Sequence, residues 1–429
     1  MATTAALSMW CYVQLVLVSY QSAEARANDR PRGNLSDLYP RWLGARELLL
    51  HHRDPYGDDV TREIQAGYYG RVLEPTRPND PKDQQAFAYP VYVAFLLAPT
   101  VEMPFPVAQG MFFWLFAALT AASVLLWLHA LGWRISSTAL AVWILLTLSC
   151  FPAIQGIKLQ QLSMFVAALI AASMFALARR RFVLTGILLA LATIKPQLIA
   201  LPVLWLCIWV MGDWRTRRLA LWSFAITLAV LVAAGEILLP GWIHEFRAGL
   251  AAYYEYTGGG KSVLDVALTP IGGRIVSALL VGVLALVTWQ SRRADERSVE
   301  FQWSFALSLA ITLAVIPMFA PYNQLLLLPA LMVISRSVRE LWAKNHLSRF
   351  LVAITALAVF FQWIAAACLV IALLFLPSST VQKAWGLPFY PSFAIPITIL
   401  ALLLFTRRIL NGKDSDQRLA SSDGGAVLG

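Results

Sequence analysis

The feature that most constrains this chain is a run of about 18 or more apolar residues with few charges, repeated along its length. Each such run can cross the roughly 30 Å hydrocarbon core of a bilayer as a helix, and a helix satisfies its own backbone hydrogen bonds there. Of 429 residues, 59% are hydrophobic and 14% charged, against roughly 25% charged in a soluble globular protein. The fold class that follows is an all-α polytopic membrane protein. The runs at 2–20, 108–131, 137–152, 162–178, 182–194, 197–211, 219–239, 271–290, 301–319, 323–335, 350–376 and 389–406 predict about 12 transmembrane helices, within a range of about 10–13.

Two apolar stretches are ambiguous. Residues 2–20 resemble a signal peptide, with "AEA" at 23–25 as a cleavage site. No Lys or Arg precedes the run, however, and a basic start is normal for a signal peptide; a retained first helix is the expectation. The stretch "AYPVYVAFLLAPTVEMPFP" (88–106) is short and interrupted by Pro. It is either a short span or a dip into the interface.

Charge orients the bundle. One set of short loops, with the start of the tail, carries 17 basic residues, from Arg134 through Arg179-Arg180-Arg181, Arg215–Arg218, Arg292–Arg297 and Arg336–Arg349 to Lys413. The alternate set holds Lys158, Lys195, Arg247, Lys261, Arg274 and Lys383. The positive-inside rule makes the first set cytoplasmic. Parity then places 21–88, a polar segment with 11 of the 24 acidic residues, outside as a large first extracytoplasmic loop, provided 88–106 does not fully cross, and both termini inside. Residues 1–410 read as one integral membrane domain, and 411–429, polar and rich in Gly and Ser, as a disordered cytoplasmic tail. The net charge of +10 sits in these loop clusters and forms no basic domain, which argues against nucleic acid as a partner. Cys11, Cys150, Cys207 and Cys368 fall in apolar segments and read as small buried hydrophobes. Neither they nor the five His show metal-ligand spacing.

Polar residues in such a chain need a reason. On the outer side they gather in "NLSDLYPRWLGARELLLHHRDPYG" (34–57), "QGIKLQQLS" (155–163), "IKPQ" (194–197), "YYEYTGGGKSVLD" (253–265) and "PYNQ" (321–324). Five clusters on one side suggest a single cavity there. Each also has a plain structural reading. Asp37 stands where a helix N-cap would, and Asn34-Leu35-Ser36 fits a glycosylation sequon that is frequent by chance. Lys195-Pro196 can end a helix with the Lys snorkelling to the interface. The Gln160-Gln161 pair can be solvated. The "GGGK" at 258–261 lacks the rest of a Walker motif, yet a glycine loop can still touch a phosphate through its N–H groups.

The order of these motifs resembles a known family. An Asp just after the first span, an Arg-bearing helix with "DPY", then "AYPVYVAFLLAP", "KLQQLSMFVAAL", "GILLALATIKPQLIALP" and "FAPYNQLLLLPAL" look like glycosyltransferase family 87. Its members use polyprenol-phosphate sugars on a GT-C fold and include α-mannosyltransferases. The resemblance covers about residues 37–331. It implies that Asp37 is the catalytic general base, that transfer inverts the anomeric carbon, and that no nucleotide sugar, obligatory metal or other cofactor is needed. Family members often carry a Trp-x-His near "APYNQ"; this chain has Tyr322, Asn323 and Gln324 there.

Chemistry then assigns expected roles. The acceptor hydroxyl needs a base within hydrogen-bond reach, and the departing lipid phosphate needs cations, with Lys195, Lys158, Arg41 and Lys261 as candidates. Tyr39, Arg46, Tyr56, Tyr89, Gln160, Gln161, Gln197, Tyr322, Asn323 and Gln324 are candidates for holding sugar and acceptor, and Trp42 with Tyr39 and Tyr56 can stack on a sugar face. The expected partners are membrane lipids, a polyprenyl-phosphate sugar and a lipid or glycan acceptor. The expected location is the plasma membrane, with the site outside. A 12-helix transporter of a small solute is the alternative, but it predicts midplane polar residues in two similar halves. Glu236 stands near a helix end, and no duplication is evident. An acyltransferase is a third class; it would show a His-centred site, which is thin in this chain.

Overall fold

A computed structural model describes residues 1–28, 36–74, 76–77, 80–256, 259–317 and 319–407. All regular structure among them is helical. Six helices are long and apolar enough to cross a membrane: Ala2–Ala27, Phe105–Ala130, Pro196–Leu238, Pro270–Ser291, His346–Ala372 and Ser378–Arg407. A seventh candidate is the pair Ser137–Ser149 and Phe151–Lys158, bent by 58° at the break. Three other apolar helices, Ser163–Ala178, Phe182–Ile194 and Val299–Val315, are shorter than a full span.

This differs from a sequence count of about 12 for physical reasons. Pro196–Leu238 has 43 residues, about 65 Å at the helical rise and twice the hydrocarbon thickness. Its continuity fails at Asp213, whose φ of −150° and ψ of 75° leave the helical region. Two of the three shorter helices, Ser163–Ala178 and Val299–Val315, are enclosed on nearly all sides, whereas Phe182–Ile194 leaves Val183 and Leu184 exposed. A helix wrapped in protein does not need to match the bilayer. Residues 88–104 make only the five-residue helix Val93–Leu97 and the turn Ala98–Thr100, about 7.5 Å of helical rise and too short to cross, and residues 105–106 already begin Phe105–Ala130.

The first helix is built into the bundle. Met9, Tyr12 and Val16 are fully buried in a cluster with Trp363, Ala366 and Leu369 of His346–Ala372. Tyr12 donates to the Trp385 carbonyl, and Tyr20 stacks on the Trp385 ring at 5.3 Å. The outer surface stays apolar, as a lipid-facing surface must: Trp114 is 72% exposed and Ile237 84%. Cys368 is exposed as well, which corrects its reading as a buried hydrophobe, because an apolar side chain in this bundle can be solvated by lipid. Cys11, Cys150 and Cys207 are partly buried.

The two loop sets gather at two ends. At the basic end Arg180 pairs with Asp295 and Glu296 at 3.0 and 3.2 Å. There Arg217 donates to the carbonyls of Trp209, Arg292 and Ala294, and Arg407 donates to Gln290 at 2.7 Å. At the other end two helices, Leu38–His51 and Asp58–Tyr69, lie over the bundle. Arg53 ties them together through Glu47, Asp59 and Glu63 at 2.7–2.9 Å. Asn34 and Leu35 of the sequon, Gly258 of the glycine loop and residues 411–429 lie outside the described residues.

Candidate active site

A cavity of about 340 Å³ opens at the end carrying the first polar segment. Its lining takes residues from all five polar clusters, among them Arg41, Gln161, Lys195, Gln197, Tyr253, Tyr322 and Asn323.

Local sequence explains how each is aimed. The helix Phe151–Lys158 ends in a Schellman-type turn: Gln161 N–H reaches the Gly156 carbonyl at 2.8 Å and Gln160 N–H the Ile157 carbonyl at 3.2 Å. Gln160 occupies the left-handed position at φ 47°, where Gly is usual. Its own amide compensates by donating to the Ile157 and Lys158 carbonyls. The turn therefore uses Gln160 as structure and throws Gln161 into the cavity. At "KP", the ring of Pro196 bars Lys195 from the helical region. Lys195 sits at φ −124° and ψ 80°, and its side chain swings inward. It is only 6% exposed, so the snorkelling reading is corrected.

The polar groups form one chain of contacts. Tyr68 donates to Asp37 Oδ1 at 3.3 Å, and Gln161 Nε2 donates to Asp37 Oδ2. Lys195 Nζ donates to Gln161 Oε1 at 2.9 Å and to Ser163 Oγ at 2.7 Å. Ser163 in turn donates to Asn323 Oδ1 at 2.7 Å. Only one orientation of the Gln161 amide serves both neighbours, nitrogen toward the carboxylate and oxygen toward the ammonium. A single amide thus separates carboxylate from ammonium. Lys195 also stands 5.2 Å over the Tyr322 ring and 5.6 Å over Tyr89, cation–π distances.

Asp37 does not cap its helix: its side chain makes no cap bond, and the Leu38 N–H goes instead to Ser36 Oγ at 3.0 Å. That overturns the capping reading and leaves the carboxylate free to face Gln161. Arg41, one turn on, donates to the Asp37 carbonyl at 2.8 Å and lies 4.8 Å over Tyr89. Its Nε is buried without a hydrogen-bond partner among the described residues. Burial opposes the Arg41 charge, but Tyr89, Asp37 and Asp83 outweigh it and lift its pKa.

Other expected residues lie elsewhere. Tyr56 donates to the Tyr89 carbonyl at 2.6 Å and packs on Phe87, so it braces the "AYP" segment. Tyr39 and Trp42 pack with Phe105, and Arg46 lies over Trp42 at 5.4 Å, all off the cavity lining. Lys158 donates to Gln21 at 2.5 Å, tying the turn to the first helix. The Lys261 side chain is exposed and lines no part of the cavity. Gln324 turns away, donating to the Ser392 carbonyl at 2.6 Å and lining a separate apolar cavity of about 310 Å³. Rotation about a helix axis decides such placements, and spacing alone does not reveal it.

Four residues join the site that sequence reasoning did not single out: Tyr68, Ser163, Tyr253 and Asp83. Ser163 was visible inside "KLQQLS" and Tyr253 opens the cluster "YYEYTGGGKSVLD"; Tyr68 carried no signal. Burial pushes the Tyr253 hydroxyl up to about 12. Burial also raises the Asp83 carboxyl, against the Gln85 N–H and Arg41.

An apolar-surfaced helical bundle with an ammonium and a guanidinium lining one cavity at its end, and a carboxylate joined to that wall through Gln161, has the form of a membrane enzyme acting on a polar substrate. The comparisons agree: the model of glycosyltransferase family 87 matches residues 87–321, more than half of the chain. The chain belongs to that family and is a membrane glycosyltransferase. The matched residues include Gln161, Ser163 and Lys195, while Asp37 precedes them. No curated protein and no solved structure matches the chain.

Proposed function

We propose that this enzyme moves a hexose, mannose first among candidates, from a polyprenyl-phosphate donor to a hydroxyl of a lipid or glycan acceptor. The reaction takes place on the extracytoplasmic side of the plasma membrane, with inversion, and serves envelope biosynthesis. The observation that carries this reading is the Gln161 amide joining the Asp37 carboxylate to the Lys195 ammonium, with Gln161 and Lys195 in the cavity wall and Asp37 behind it.

In this reading Asp37 accepts the proton of the acceptor hydroxyl as its oxygen attacks the anomeric carbon. The bond from that carbon to the phosphate oxygen breaks, and its electron pair leaves with the lipid phosphate. Lys195 and Arg41 offset that growing negative charge. Gln161 holds the Asp37 base at one end of its amide and the Lys195 cation at the other, and in a single displacement attack and departure occur on opposite faces of the sugar. The apolar cavity beside Gln324 adds support, since Asn323 lines the polar cavity and Gln324 the apolar one. A sugar on a hydrocarbon tail needs both surroundings side by side.

The test is transfer of labelled mannose from polyprenyl-phosphate-mannose in membranes containing the enzyme. Asp37→Asn should lower the rate by about 10²–10⁴-fold, and Lys195→Met by about 10²–10³-fold. Full activity of Asp37→Asn at normal protein level would sink the assignment of the base. Lipid and glycan profiles of a deletion strain would name the acceptor.

A further inference from the structure

The basic end carries a second polar cavity, also of about 340 Å³, which the transfer reaction does not use. Arg179, Arg297 and Arg336 wall it, with His129, Ser298 and Gln302. These side chains come from the ends of four helices: Phe105–Ala130, Ser163–Ala178, Val299–Val315 and Leu328–Arg336.

Orientation in the membrane requires basic residues near this end, but it does not require them to converge. Here they do. Arg297 Nε donates to the Ala178 carbonyl at 3.3 Å, and Arg336 Nη1 to the Leu131 carbonyl at 3.4 Å. Arg179 lies 4.9 Å over Phe175. Arg297 and Arg336 are each held through one N–H and Arg179 by its ring contact, which leaves further N–H groups for the cavity. None of the three pairs with a carboxylate among the described residues, and none lines the wall there. Asp295 and Glu296, just before Arg297 in the chain, are taken by Arg180. The start of the 17-residue helix Val299–Val315 adds the positive end of its dipole.

We infer that this cavity binds a phosphate-bearing anion, either the headgroup of an anionic phospholipid in the adjoining leaflet or a free phosphate. Planar guanidinium forks match phosphate oxygens two at a time, and basic pockets between membrane helices are known places for anionic headgroups. The bound anion would clamp four helix ends. One of those helices, Ser163–Ala178, carries Ser163 of the transfer site at its far end, about 24 Å away along the axis.

Thermal unfolding of the purified full chain in detergent tests this, with added dioctanoyl phosphatidylglycerol, dioctanoyl phosphatidylcholine or inorganic phosphate. Phosphatidylglycerol should raise the melting midpoint saturably, and phosphatidylcholine should not. If inorganic phosphate alone reproduces the rise, the ligand is free phosphate; if it does not, the headgroup is the ligand. In the triple variant Arg179→Gln, Arg297→Gln, Arg336→Gln the concentration needed should grow at least about tenfold. An unchanged response there, an equal response to phosphatidylcholine, or no response to any of the three overturns the proposal. Lost charge can also disturb insertion, so the triple Arg→Lys variant, which keeps the charge count, provides the second reading. A weaker response in it supports guanidinium recognition, and a response equal to the native one overturns it.

Discussion

At the residue scale, Gln160 and Gln161 show how neighbours of one type can have opposite jobs. Gln160 stabilises a left-handed turn with its own amide, and Gln161 links the carboxylate to the ammonium. Gln160→Gly should keep most transfer activity, because Gly accepts φ 47° without strain. Gln161→Leu should lower turnover by about 10²-fold or more, since it unseats both charged groups. Labelled-sugar transfer at matched protein level checks the pair; equal losses would refute the division. The sequence made "KLQQ" suspicious but could not rank its two glutamines, because the ranking depends on one backbone angle. Lys195 was more legible, since Pro196 after it dictates the direction of its side chain. Gln324, Arg46 and Lys261 were equally polar on paper, and helix rotation and loop path took them elsewhere.

Asp83 yields a pH prediction at the same scale. Burial raises its folded pKa above the unfolded value of about 3.9, so the folded protein holds the Asp83 proton more tightly. Its contribution to stability is full below about pH 4 and is lost as pH rises through the raised value. Asp83→Asn should therefore flatten the melting temperature on that acid limb, and leave it equal or higher at neutral pH. Melting curves of both proteins from pH 4 to 8 check the sign; a variant that loses more stability at neutral pH than at pH 4 would contradict it.

At the scale of elements, close approach of helices is set by small residues. Between Phe182–Leu191 and Trp214–Leu238 the contact passes over Gly186, where a Cβ would lie 2.1 Å from Ser223 Oγ and 2.2 Å from the Ala220 carbonyl. Such contacts are how membrane helices associate without a hydrophobic drive between them. Gly186→Val should cost about 1–3 kcal/mol by forced separation, read as a lower midpoint in detergent and reduced yield. Gly110, with open space around its missing Cβ, is the control, and Gly110→Ala should be neutral. Apolar runs revealed that helices exist here, yet they blurred which ones span. The buried helices Ser163–Ala178 and Val299–Val315 are as apolar as lipid-facing ones, and hydropathy cannot separate contact with protein from contact with lipid.

For the whole molecule, the alternation of basic and polar loops was the most legible property. The structure gathers the two sets at opposite ends, as alternation demands. The compartment each end faces follows from the bias of 17 basic residues to six and the positive-inside rule. With Cys11, Cys150, Cys207 and Cys368 replaced by Ser or Ala, a single Cys at Gly259 should react with a membrane-impermeant maleimide added to intact cells. A single Cys at Arg181 should react only after the membrane is opened. Both positions are exposed, so accessibility reports the side and not burial. The cavity holding Lys195 shares its end with Gly259. Labelling of Arg181→Cys from outside would place that cavity in the cytoplasm and make a soluble cytoplasmic donor the reading to test. Labelling of Gly259→Cys from outside would restrict donors to those already carried across the bilayer, as a lipid-linked sugar is.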